Sequence, residues 1–120
     1  MFVNVKPRKR NAPRPAEKSA PAFLQWLRGR ECCFDFLGGC EGKIEAAHVD
    51  YAGGKGMATK VADRHAVPAC SGHHRQQTDW GWRRFEAQIA RDGFALRCAE
   101  AYWNRWPGRV AWERKLESGA

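Results

Sequence analysis

Apolar positions along the chain follow three patterns in turn. Over SAPAFLQWLRGR, residues 19 to 30, Phe23, Trp26 and Leu27 recur at spacings of three and four, the period of one helix face. Ser19 is placed to cap that helix, Pro21 suits its first turn, and Gly29 weakens its end. From 31 to 70 the apolar runs shorten and glycine becomes frequent, and KIEAAHV and RHAVPAC are the two strand candidates. Beyond residue 73 the helical period returns through Trp82, Phe85 and Ile89 and stops at Asp92-Gly93. Leu96, Ala99 and Trp103 begin a further face that Pro107-Gly108 closes, and a short helix is predicted over 109 to 117. The Trp and Phe residues of this last third lie on those faces, so they are expected in the core rather than on a base-stacking platform. No internal repeat is present.

Length and composition narrow this picture. With 120 residues and 43% hydrophobic side chains, including six Trp and six Phe, the chain can build one small α+β domain. A core of that size often needs a metal or a covalent staple. No run approaches the ~18 apolar residues of a membrane span, and the N-terminus lacks the apolar segment of a signal peptide, so no membrane association and a cytoplasmic location are expected. In that reducing compartment the odd number of cysteines, Cys32, Cys33, Cys40, Cys70 and Cys98, reads as thiols or metal ligands rather than a disulfide framework.

Charge adds a partner. The net charge is +8 and the pI about 9.7, which favours an anionic partner such as nucleic acid. Residues 1 to 18 hold six of the basic side chains (Lys6, Arg8, Lys9, Arg10, Arg14, Lys18) against one acid, Glu17, and carry +5 of the total. Pro7, Pro13 and Pro15 break this segment and it has little to bury, so 1–18 is predicted as a disordered basic arm ahead of a single domain over 19–120. Such an arm adds salt-dependent affinity for phosphates. Lys55, Lys60, Arg75, Arg83 and Arg84 are the other candidates for phosphate contact. The GGKG around Lys55 lacks P-loop spacing, so no nucleotide cofactor is expected.

The densest chemistry is in VPACSGHHRQQTDW. Cys70-x-x-His73 has the spacing with which two ligands grip one zinc at a turn, and CCFDFLGGC supplies a second pair, Cys33 with Cys40 or Cys32 with Cys40. If His73 and His74 both stand on the first turn of a helix, their side chains diverge by about 100° and serve different sites. One can then close a structural zinc while the other faces an open metal position. The remaining question is His48, in EAAHVDYAGG, a histidine at a strand end just before a glycine-rich turn.

The order strand-His, glycine-rich loop, VPAC, x-x, His-His, helix resembles the HNH endonuclease family. IEAAHVDYAGGKGM and DRHAVPACSGHH are similar to its phage and prophage branch, which includes relatives of phage RecA-dependent nucleases. The resemblance covers roughly residues 31–80 and leaves 81–117 as C-terminal helices. It implies a ββα-metal fold, a hairpin and helix around a divalent metal, flanked here by an N-terminal helix and C-terminal helices. It also implies metal-dependent hydrolysis of DNA phosphodiesters. His48 matches the general base, and His74 the ligand of a catalytic Mg²⁺, Mn²⁺, Ni²⁺ or Zn²⁺. Cys33, Cys40, Cys70 and His73 match the structural zinc, and His65 falls where the family has the Asn that orients the base.

Two positions depart from the pattern. The residue before the base, often a metal ligand in the family, is Ala47, and four positions after His74 stands Thr78. Glu45, on the strand parity of residue 47, and Asp50 and Asp63 are the acidic substitutes within reach. The alternative to an endonuclease is a zinc-stapled DNA-binding module without catalysis, and a second metal position beside His48 and His74 distinguishes the two.

Overall fold

A computed structural model describes residues 14–52 and 60–119. Five α-helices and a two-stranded antiparallel sheet are found among these residues, a small α+β arrangement. Strand β1 is Ile44–His48 and β2 is Ala66–Cys70, paired with Ile44 opposite Cys70 and His48 opposite Ala66. Helix α1 is Pro21–Leu27, α2 Ser71–Trp80, α3 Trp82–Gln88, α4 Phe94–Arg105 and α5 Arg109–Glu117. None of these helices is long and apolar enough to cross a membrane.

The hairpin divides the core in two. Ala47, Val49, Val67 and Ala69 lie in one cluster with Phe34, Trp82, Phe85, Ala95 and Ala99, whereas Ala46 and Ala66 lie in another with Phe23, Leu27, Trp103 and Trp106. That split follows from the two-residue period of a strand, which sends alternate side chains to opposite faces. Every residue of β2 is buried, so the sheet is covered along that strand. Pro68 has no N–H to give, but its carbonyl accepts the amide of Cys33 at 2.8 Å, which ties the segment before the glycine-rich turn to β2. Trp82, Phe85, Trp103 and Trp106 are buried, in keeping with their helical spacing.

Three local features differ from the sequence pattern. The helical stretch after residue 70 is two helices, because Gly81 adopts φ +83° and turns the chain between α2 and α3. Ser19 does not cap α1. The amide of Ala20, the residue at the cap position, instead donates to Asp63 Oδ2 at 2.8 Å, a partner 43 residues away. At the end of the predicted arm, Ala16–Lys18 forms a 3-10 turn, Arg14 Nε donates to the carbonyl of Val61 at 2.8 Å, and Lys18 Nζ to that of Lys60 at 3.0 Å. Residues 14–18 therefore belong to the folded unit, and the rest of the arm, like Lys55 in the glycine-rich loop, lies outside the described residues. Across the molecule, the indole of Trp112 on α5 donates to the carbonyl of Ser19 at 2.8 Å.

Candidate metal and catalytic site

The turn from β2 into α2 assembles a metal-binding group. Cys70 ends the strand, and its sulfur accepts the amide of His73, capping the helix that carries His73. Gly72 donates to the carbonyl of Glu41 and Ser71 to that of Lys43, which lays the segment after Cys40 along the start of α2. Gly42, at φ +76°, allows this: a Cβ there would stand 2.8 Å from Ser71 Cβ. Cys32, Cys40, Cys70 and His73 come together with all four ligand atoms within 4.8 Å of one another.

The geometry suits a single ion. His73 Nδ1 lies 3.5 Å from Cys32 Sγ, 3.7 Å from Cys40 Sγ and 3.2 Å from Cys70 Sγ. One ring nitrogen can share a proton with one thiol at a time, so three such approaches are not a hydrogen-bond pattern. Around a tetrahedral ion with bonds of about 2.3 Å to sulfur and 2.0–2.1 Å to nitrogen, the nitrogen–sulfur separation is about 3.6 Å. The observed distances bracket that value. Three sulfurs and one imidazole can thus hold a structural metal such as zinc, with all four positions supplied by protein. Burial pushes the Cys32 thiol up to about 12. Burial also opposes ionisation of Cys70, but the backbone N–H groups of His73 and Glu41 outweigh it and bring that thiol below its ordinary value.

Cys33, expected as the first ligand, is not in the group; Cys32 is. The reason is the alternation of adjacent side chains, fixed by the bond from the Cys33 amide to Pro68. Cys33 packs on the first core cluster together with Cys98, whose thiol is its neighbour. Burial, then that neighbouring thiol, raises Cys33, while the same contact lowers Cys98.

The two adjacent histidines do separate. While His73 faces the cysteines, His74 Nδ1 lies 2.6 Å from Glu45 Oε1 on β1. Glu45 also accepts the Ser71 hydroxyl at 3.0 Å, and His74, followed by Ser71, holds its carboxyl below the usual range. Of the acidic candidates it is therefore Glu45 that reaches the helix histidine. Ala47 is fully buried, and Asp50 is exposed in the 3-10 turn after β1.

At the other end of β1, His48 Nε2 meets Asp63 Oδ1 at 2.9 Å. Asp63 is buried in the 3-10 turn Asp63–His65 and also receives the Ala20 amide. The carbonyl of His48 accepts the Trp82 indole at 2.9 Å, so ring and backbone are both held. The orienting partner is Asp63 rather than His65, because the turn points Asp63 inward. His65 stands half-buried with Nδ1 lacking a partner, and its carbonyl accepts the Val49 amide. Burial, then the Arg64 guanidinium, lowers its proton affinity. His48 and His74 thus have separate carboxylate partners, on residues of β1 and the turn before β2. Their anchor points on β1, residues 45 and 48, are three residues apart, roughly 10 Å.

The phosphate-contact candidates are dispersed. Arg75 pairs with Glu41 at 3.8 Å on the surface, and Arg84 lies over the Trp80 ring at 5.5 Å. Arg83 flanks a surface depression with Tyr51 and Glu86, and Lys60 begins the segment that receives Lys18. Nothing in the pattern of spacings signalled Asp63 as the partner of His48; its place two residues before His65 was the available hint. No family model, curated protein or solved structure matches this chain.

Proposed function

We propose that the chain is a metal-dependent DNA endonuclease of the HNH type, with a structural zinc at Cys32, Cys40, Cys70 and His73. The observation that carries this reading is the pair of imidazole–carboxylate contacts on one hairpin–helix unit, His48 with Asp63 and His74 with Glu45. In-line displacement at a phosphate puts the attacking water and the leaving oxygen on opposite sides of phosphorus. A base and a metal-ligating pair serve opposite sides of that group and need not touch. His48 offers its Nδ1 to the water, since Nε2 is engaged by Asp63, and the Asp63 carboxylate stabilises the imidazolium that results. A divalent ion held by Glu45 and His74 would supply positive charge for the leaving oxygen. The side chains of His48 and His74 are a quarter to a third exposed, open enough for a substrate.

The net charge of +8 supports an anionic polymer as substrate. A zinc-stapled DNA-binding module without catalysis is the second reading, and buried Ala47, at the family's ligand position, favours it. Metal counting and plasmid nicking on the same purified protein decide between them. The nuclease reading expects nicking with at least one of Mg²⁺, Mn²⁺, Ni²⁺ or Zn²⁺. His48→Ala should keep fold and DNA binding but nick about 10²- to 10⁴-fold more slowly. Binding without nicking in any of the four metals supports the second reading.

A further inference from the structure

Arg14 and His48 address the same oxygen atom. Arg14 Nε stands 3.4 Å from Asp63 Oδ1, the atom His48 Nε2 meets at 2.9 Å. The guanidinium is held there by its 2.8 Å bond to the Val61 carbonyl. The other oxygen of the carboxylate is occupied by the Ala20 amide. The Asp63 side chain is only 5% exposed, so its charge is weakly screened and is divided between the groups that touch it.

We infer that Arg14 is a positioning residue for His48, acting through Asp63 to keep the imidazole neutral and able to accept a proton. This rests on the reading of His48 as general base. An imidazole beside a lone buried carboxylate is drawn toward its protonated form, in which it cannot act as a base. A guanidinium on the same oxygen opposes that protonation, first by offsetting the carboxylate charge and second by repelling the imidazolium.

Asp50 stands exposed in the turn after β1, and most other charged groups around this pair have contacts of their own. Helix α1 carries no titratable side chain. On β1, Glu45 is bonded to His74 and Ser71. In the turn that holds Asp63, Arg64 lies over the Trp103 ring at 5.0 Å, and His65 is influenced by Arg64 and by Glu100 of α4. Lys18 is bonded to the Lys60 carbonyl, with Lys60 at the start of the same segment. Arg14 also directly continues the basic run Lys6, Arg8, Lys9, Arg10. One side chain thereby joins the segment most suited to phosphate contact to the residue that would activate water.

The test uses the full chain and three variants, Arg14→Gln, Arg14→Lys and Lys115→Gln, the last removing one exposed basic charge on α5. Plasmid nicking is followed against pH at saturating metal and DNA, and the histidine ring signals are titrated by NMR, with His48 assigned from His48→Ala. In Arg14→Gln the acidic limb of the nicking profile and the His48 titration should both move to higher pH by about half a unit or more, the effect of removing one charge about 6 Å away. Arg14→Lys should restore most of the shift. Lys115→Gln should leave both curves in place. Superimposed curves for Arg14→Gln and the parent would overturn the inference, as would loss of the fold in Arg14→Gln, which would make Arg14 a structural pin. A parent protein that never nicks overturns the nuclease reading instead, and the NMR titration then still decides whether Arg14 acts on His48.

Discussion

His74 Nδ1 and Glu45 Oε1 are 2.6 Å apart, which puts a carboxylate of β1 against the first turn of α2 although the residue nearest the base, Ala47, can ligate nothing. Glu45 and Ala47 share a face by the strand's two-residue period, and it is the longer Glu45 side chain that reaches the histidine.

Glu45→Gln should therefore weaken the second metal site by roughly 10- to 100-fold in affinity or in nicking activity, while the zinc content stays at one per chain. Isothermal titration with Mn²⁺, alongside zinc analysis of the same sample, checks this. An unchanged Mn²⁺ affinity would remove Glu45 from the site.

Cys32 and Cys33 differ sharply in expected effect despite being neighbours. Cys32→Ser should abolish stoichiometric zinc and lower the melting temperature by roughly 10 °C or more, since metal binding contributes directly to folding. Cys33→Ser should keep the metal and shift melting by only a few degrees. Equal zinc loss in the two variants would contradict the partition of the five cysteines into three ligands and one separate pair.

Asp63 joins the start of α1, His48 and Arg14, so its removal should be felt twice. Asp63→Ala leaves the Ala20 amide and the His48 ring without their acceptor and should cost about 2 kcal/mol or more in urea unfolding. Asp63→Asn keeps an acceptor oxygen and should be milder in stability, yet still lower the nicking rate by about 10-fold or more because the charge opposite the imidazole is gone. Wild-type nicking by Asp63→Asn would show that His48 acts unaided.

His65 makes stability depend on pH. Its folded-state proton affinity is lowered, chiefly by burial, so the unfolded chain binds the proton more readily. The contribution is complete above the unfolded value of about 6.5 and is lost as pH falls through the lower folded value. The drop in melting temperature between pH 7 and pH 5 should be smaller in His65→Gln than in the parent, measured with zinc present throughout. Parallel curves would mean that His65 binds its proton equally in both states.

Truncations at two points separate the arm from its root. Removing residues 1–13 should flatten the salt dependence of duplex binding with little change in melting, because four basic side chains go while Arg14 and Lys18 keep their bonds. Removing 1–18 should lower melting as well. Filter binding from 50 to 200 mM salt and a thermal melt on both truncations provide the comparison.

Much of this arrangement was legible in the residues. Helix faces at Phe23, Trp26 and Leu27 and at Leu96, Ala99 and Trp103, both strands, and the Cys70-x-x-His73 pair all follow from periodicity or local spacing, which a sequence displays directly. What spacing cannot display is which of two adjacent cysteines turns inward. That was settled by the bond from Cys33 to Pro68, a contact between distant segments. The same holds for Asp63, which caps α1 and meets His48 across 43 and 15 residues, and for Gly81, whose positive φ separates α2 from α3. Arg14 looked like one more arm charge because nothing local distinguishes it from Arg8 or Arg10.

The indole of Trp112, bonded to the carbonyl of Ser19, closes a loop of more than ninety residues. During synthesis the hairpin and its four metal ligands are all translated well before Trp112, so the metal-bound half has every residue it needs while α1 still lacks its last tether. Loops of that span close slowly compared with local elements. A chain ending before residue 112 would therefore contain all four candidate ligands but lack the last tether of α1, the helix beside whose start the Ala20 amide shares Asp63 with His48. The four residues that could hold a metal and the residue that fixes α1 are thus supplied at different points along the chain, the tether last.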